Sequence, residues 1–96
     1  MSRHRYLVCY DIANPKRLRR VADVCGGFGS RVQYSVFECP LDPMRLAQLK
    51  SALDGEINHD EDQVLFVSLG PQSSSASLII EAMGLPYEVR SRVTII

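Results

Sequence analysis

The stretch Tyr6-Leu7-Val8-Cys9-Tyr10-Asp11-Ile12, with Asn14-Pro15 behind it, decides how the rest of the chain is read. It is apolar but for one carboxylate and rich in β-forming residues, which marks a buried strand and not a helix. Asn14 offers a side-chain oxygen to cap a helix. Pro15 suits the first helical position, where a missing N–H leaves no bond unmade. Asp11 therefore stands at a strand end just before a helix start. A carboxylate there either ligates a cation or simply accepts hydrogen bonds from the turn that follows.

Beyond Pro15, Leu18, Val21, Ala22 and Cys25 recur at i, i+3, i+4 and i+7, the apolar stripe of an amphipathic helix. Lys16, Arg17, Arg19 and Arg20 fill the other side of its first turns, although a helix N-terminus favours anions. Gly26-Gly27 and Gly29 are expected to end the helix through a left-handed cap. Arg31 to Cys39 reads as one strand or as a short hairpin reversing near Ser35, and Pro40 to Pro43 breaks it. Asp42-Pro43 repeats the cap-plus-proline signature, and Leu46, Leu49, Leu53 and Ile57 form a second helical stripe that frays at Gly55. Asn58 to Gln63 lacks the ligand spacing of a calcium loop and reads as a solvated connection. Val64 to Leu69 is a further strand, apolar on both faces and stopped by Gly70-Pro71. A serine-rich linker, Ser73 to Ser77, leads to Leu78-Ile79-Ile80, which suits a strand or a short helix. The turn Gly84-Leu85-Pro86 and a terminal Val93-Thr94-Ile95-Ile96 complete the chain.

A chain of 96 residues, 46% hydrophobic, supports one domain with a modest core. No run approaches the length of a membrane span and no signal-peptide pattern opens the chain, so the expected location is the cytoplasm and no membrane partner is expected. Cys9, Cys25 and Cys39 lack metal-ligand spacing and read as small buried hydrophobes. The two histidines, His4 and His59, have no partner spacing that suits a base or ligand pair. Net charge is zero, but residues 1–31 hold seven of the eleven cations and only two carboxylates. Such a split gives one basic and one acidic face; the basic face suits a phosphate backbone or is merely a solvated helix surface.

The element order is that of a ferredoxin-like α+β sandwich, βαββαβ, with two helices on one face of an antiparallel sheet. Residues 1–70 form this core and residues 71–96 a β-rich tail. The first and last core strands are apolar on both faces, whereas two helices cover only one face. A homodimer joined through the sheet faces is expected, with the C-terminal strand added to the partner's sheet.

Tyr10-Asp11-Ile12, the basic helix with Arg20, a glycine, and then Arg31-x-Gln33-x-Ser35-Val36-Phe37-Glu38 together resemble the small CRISPR-associated adaptation protein, the Cas-two family. Asp62, just before the last core strand, fits the same pattern. The resemblance spans about residues 5 to 70. It implies a ferredoxin-like homodimer that works with the Cas-one integrase to capture foreign DNA as spacers. It also implies magnesium-dependent endonuclease activity on single-stranded RNA or double-stranded DNA, with Asp11 as the metal ligand. The helix-one cations shift register among relatives, so Arg17 and Arg19 carry over only as a patch with Arg20.

One aspartate per chain is a poor magnesium site, but a two-fold axis pairs Asp11 with its mate. Two such carboxylates repel until a cation neutralises them. Lys16, Arg17, Arg19, Arg20 and Arg31 are then the expected nucleic-acid contacts. Tyr10, Ser35 and Phe37 are possible supporting residues, or else packing. Three readings stay open: a metal-dependent nuclease, a non-catalytic adaptor that bridges integrase subunits and binds DNA, and an RNA-binding module. The last would need exposed aromatics on its sheet, and the sequence offers few.

Overall fold

A computed structural model describes residues 2–71 and 79–86. In chain order it contains β1 (His4–Asp11), α1 (Pro15–Gly26), β2 (Ser30–Gln33), β3 (Val36–Leu41), α2 (Pro43–Asp54), β4 (Gln63–Pro71) and β5 (Ile79–Gly84). The strands form one antiparallel sheet in the order β2-β3-β1-β4-β5. Its first four strands have the ferredoxin-like arrangement expected from the element order.

Both helix starts follow from their caps. Asn14 Oδ1 accepts from the backbone N–H groups of Lys16 and Arg17, at 2.9 and 3.0 Å, and Asp42 Oδ1 accepts from that of Arg45 at 2.8 Å. Each is followed by a proline at the first helical position. The helix ends differ from expectation. Gly27 and Gly55 cap α1 and α2 with φ of −77° at both, in the right-handed region, so neither end needs a left-handed residue.

Register explains the core. Val8 lies opposite both Phe37 of β3 and Phe66 of β4, and Tyr10 lies opposite Val64. These side chains, with Cys39 and Leu41, alternate onto one face, where Val21 and Cys25 of α1 and Leu49 and Leu53 of α2 cover them. Burial keeps the Cys25 and Cys39 thiols protonated, pushing them up to about 12 and about 11, in keeping with their role as packing. On the other face β1 presents Leu7 and Cys9, β3 presents Val36 and β4 presents Leu65 and Val67. All are half-buried, and no helix covers them among the described residues. Asp11 shares the alternation of this open face and stands at its end, exposed.

Three further differences have physical causes. The stretch left open between strand and hairpin is a hairpin turning at Tyr34-Ser35. Pro40 lies inside β3 instead of ending it. β2 pairs with β3 only as far as Glu38, so at Pro40 the outer side of β3 is an edge where no N–H is needed. The stretch after the serine linker is strand, not helix, and β5 pairs with the chain's own β4, Ile80 opposite Val67 and Gly84 opposite Gln63. The serine linker and the last four residues, expected to add to a partner, lie outside the described residues.

Gly29 is where α1 hands over to β2, and a Cβ there would stand 2.2 Å from the Glu38 carbonyl oxygen and 2.6 Å from Cys39 Sγ. Gly29→Ala is therefore expected to cost about 1–3 kcal/mol through overpacking. Gly26→Ala, with nothing within 4 Å of the added atom, is expected to be neutral or slightly stabilising. Thermal unfolding of the two variants checks the contrast.

Candidate functional site

The loop before β4 is not simply a solvated connection. Asp62 is fully buried, and its two oxygens accept four hydrogen bonds. Oδ1 takes the Ala13 N–H at 2.9 Å and Arg17 Nη2 at 3.2 Å, while Oδ2 takes Arg17 Nε at 2.9 Å and the Asn58 N–H at 2.8 Å. Its carbonyl accepts from the Leu85 N–H at 2.8 Å, and Gly84 passes so close that a Cβ would lie 2.2 Å from that oxygen, at a φ of +93°. Asp62 thus ties the loop after β1, the first turn of α1, the loop after α2 and the end of β5 to one point. Burial alone would raise its carboxyl. The Arg17 guanidinium and the Asn58 and Ala13 N–H groups outweigh that and hold it below its ordinary value.

This geometry corrects the reading of Arg17. Its guanidinium is bidentate on Asp62 and also meets Glu61 at 2.9 Å, so it anchors the fold and is not free for a phosphate. Lys16, Arg19, Arg20 and Arg31 are exposed and form no ion pair among the described residues. Arg19 and Arg31 converge on one cleft between α1 and β2.

The possible supporting residues divide. Phe37 is only 4% exposed, so it cannot stack against a nucleic-acid strand. It packs on Tyr10 with ring centroids 6.3 Å apart, and the Arg31 guanidinium lies 5.2 Å from its ring centre. Tyr10 is likewise core, its hydroxyl buried beside the Arg31 guanidinium. Ser35 is half-buried in the hairpin turn, its carbonyl accepting the Tyr10 N–H at 3.0 Å and so fixing β1 beside Asp11. Tyr34, which the sequence reading passed over as a strand residue, projects 72% exposed from the same turn. An aromatic beside a reversal was the available signal.

The Asp11 carboxylate has no hydrogen-bond or ion-pair partner among the described residues. Nor do those residues contain a group of three ligand-type side chains. At the end of the open face the described residues therefore offer Asp11 as an unpaired carboxylate. Magnesium, which keeps most of its waters, can be held by one or two carboxylates, so Asp11 with a symmetry mate fits it and Asp11 alone fits it poorly.

Among the described residues, a ferredoxin-like sandwich with an apolar sheet face that no helix covers, an unpaired carboxylate at the end of that face and exposed cations on its first helix defines the class of this protein. Residues 4–76 match the family model described as CRISPR associated protein Cas2, and the chain belongs to that family. It is 40% identical over 95 residues to the CRISPR-associated endoribonuclease Cas2 1 of Rhodospirillum rubrum, covering 99% of this chain and 92% of that protein. It is 46% identical over 68 residues to the CRISPR-associated endoribonuclease Cas2 of Geobacter sulfurreducens, covering 71% and 72%. The crystal structure of Streptococcus pyogenes Cas2 at pH 6.5 superposes with a TM-score of 0.61 at 40% identity, over 65% of this chain and 81% of that one. No helix among the described residues is long and apolar enough to cross a membrane.

Because the Asp62 carboxyl is held below its ordinary value of 3.8, its contribution is fully present above that pH and is lost as pH falls through the lower folded-state value. Asp62→Asn replaces an acceptor with a donor facing a backbone N–H. It is expected to lower stability by about 1–3 kcal/mol at neutral pH. Denaturant unfolding from pH 7 to pH 3 should show the gap between variant and wild type constant down to about pH 5 and narrowing below pH 4.

Proposed function

We propose that this protein is a magnesium-dependent nuclease of the CRISPR adaptation machinery, acting as a homodimer. Single-stranded RNA and double-stranded DNA are the candidate substrates. The observation that carries the reading is Asp11, exposed at the end of the open apolar sheet face and unpartnered among the described residues. Rows such as Val36–Cys9–Leu65–Ala82, set by register, give that face an apolar centre of the kind that two copies cover mutually, with the Arg5–Glu38 ion pair at one side. Packing the faces about a two-fold axis would bring the two Asp11 carboxylates toward one another. The printed names of the relatives support hydrolysis of a nucleic acid.

Bound between the two carboxylates, magnesium would supply charge neutralisation at the phosphate and a water of lowered pKa. The rest falls to the chain's own residues. Asp11 of each copy would hold the ion, and its freedom from other hydrogen bonds leaves both oxygens available. Lys16 and Arg20 would fix backbone phosphates on the helix side, where their charge is not spent on an internal partner. Arg17 contributes by pinning the start of α1 to Asp62. Ser35 holds the end of β1 through its carbonyl.

One observation favours a second role alongside the first. A lone carboxylate in each chain suits modest chemistry, and the exposed cations suit an adaptor that lays DNA beside the Cas-one integrase. That role requires the basic surface and not Asp11.

In the purified protein, magnesium-dependent cleavage of single-stranded RNA or double-stranded DNA is expected to fall to the level seen with chelator in Asp11→Asn, with melting temperature unchanged. Equal cleavage by both proteins, or none by either, would leave the adaptor role standing alone. In sedimentation the wild type is expected to be a dimer, and Val67→Glu, a charge placed in the middle of the open face, to be a monomer. A wild-type monomer at all concentrations would remove the face-to-face arrangement.

A further inference from the structure

On the helix side of the sheet, away from Asp11, a cleft of about 390 Å³ opens between α1 and the β2–β3 hairpin. Its walls include Leu18, Arg19 and Asp23 from α1, Arg31 and Tyr34 from the hairpin, and Tyr10 from β1. Three groups stand exposed along its walls. Arg19 forms no ion pair among the described residues, not even with Asp23 one helical turn on. Arg31 rests on Phe37 and leaves its N–H groups without a carboxylate. Tyr34 keeps an aromatic ring 72% exposed at a hairpin tip. Tyr10 closes the floor, its ring packed on Phe37 and its buried hydroxyl beside Arg31.

Taken together these groups ask for a ligand with an anionic end and a flat, polar-edged ring. We propose that the cleft takes up one unpaired nucleotide, its phosphate between Arg19 and Arg31 and its base stacked on Tyr34. Two guanidinium groups match a phosphate in charge and in hydrogen-bond geometry. An exposed tyrosine stacks on any base, which suits an unpaired nucleotide and not one inside a duplex. Asp23, an anion on the α1 wall, confines the phosphate to the arginine end and accepts from a ribose hydroxyl or a base N–H. The same chemistry is offered by a frayed or overhanging strand end and by a free nucleotide. The inference rests on the nucleic-acid reading above for its biological setting, but the cleft and the Asp11 face lie on opposite sides of the sheet and can be tested apart.

The test is equilibrium binding by the full chain with chelator present, so that cleavage plays no part. Two labelled duplexes are compared, one blunt and one with a single unpaired nucleotide at each end, and cytidine 5′-monophosphate and inorganic phosphate are titrated by NMR. The overhanging duplex is expected to bind about tenfold more tightly than the blunt one, with Tyr34→Ala erasing the gain and leaving blunt-duplex affinity unchanged. Cytidine monophosphate is expected to shift the amides of Arg31 and Tyr34. Binding of the free nucleotide as tight as that of the overhang would identify the free nucleotide as the source. No gain from the overhang together with no shift at the cleft would overturn the proposal, as would inorganic phosphate reproducing every shift. In either case blunt-duplex affinity still reports on the basic surface, and cleavage by Asp11 is untouched.

Discussion

The buried carboxylate of Asp62 is the interaction on which the rest of this fold depends. An ionised group can be removed from water only if its lone pairs are satisfied, and here two backbone N–H groups and a bidentate arginine do so. Each partner comes from a different segment. The carboxylate therefore ties the capped start of α1 to the loop after α2 and, through its own carbonyl, to the end of β5. The direction in which β1 delivers Asp11, two residues before Ala13, follows from the same anchor.

The sheet is used asymmetrically. One face carries Val8, Tyr10, Phe37, Cys39, Val64 and Phe66 beneath the two helices, and it is packed and dry. The opposite face carries Leu7, Cys9, Val36, Leu65 and Val67 with no helix above them among the described residues. Strand alternation assigns every residue to one of these faces. A carboxylate at an odd position of β1 falls at the rim of the face that no helix covers among the described residues. Tyr10, one residue earlier, falls among the helices. Neighbours in the chain thus serve separate sides of the molecule.

The basic first helix has an equally divided role. Its cations look equivalent along the chain, yet the 3.6-residue period sends them to different places. Arg17 turns toward Asp62 and Glu61, Lys16 and Arg20 face solvent, and Arg19 faces the cleft shared with Arg31. The unfavourable placement of cations at a helix N-terminus is offset for Arg17 by a buried carboxylate, which makes its charge structural. Lys16, Arg19 and Arg20 form no ion pair among the described residues.

What the sequence by itself determined is whatever local chemistry decides. Asn14-Pro15 and Asp42-Pro43 mark both helix starts because a cap and its N–H partners lie within three residues. The stripes of Leu18 to Cys25 and Leu46 to Leu53 mark the buried helix faces because periodicity is local. The order of elements then implied the ferredoxin-like sandwich, and Tyr10-Asp11-Ile12 drew attention to Asp11. Only the tertiary structure decided what depends on distant partners. Asp62 and Arg17 are 45 residues apart, and nothing local in the sequence pairs them. Gly29 reads as a helix terminator but is needed for its approach to β3. Tyr34 and Arg31 become the wall of a cleft only when the hairpin folds against α1. Pairings across long loops have no local signature, because their free energy is gained only after the loops have closed.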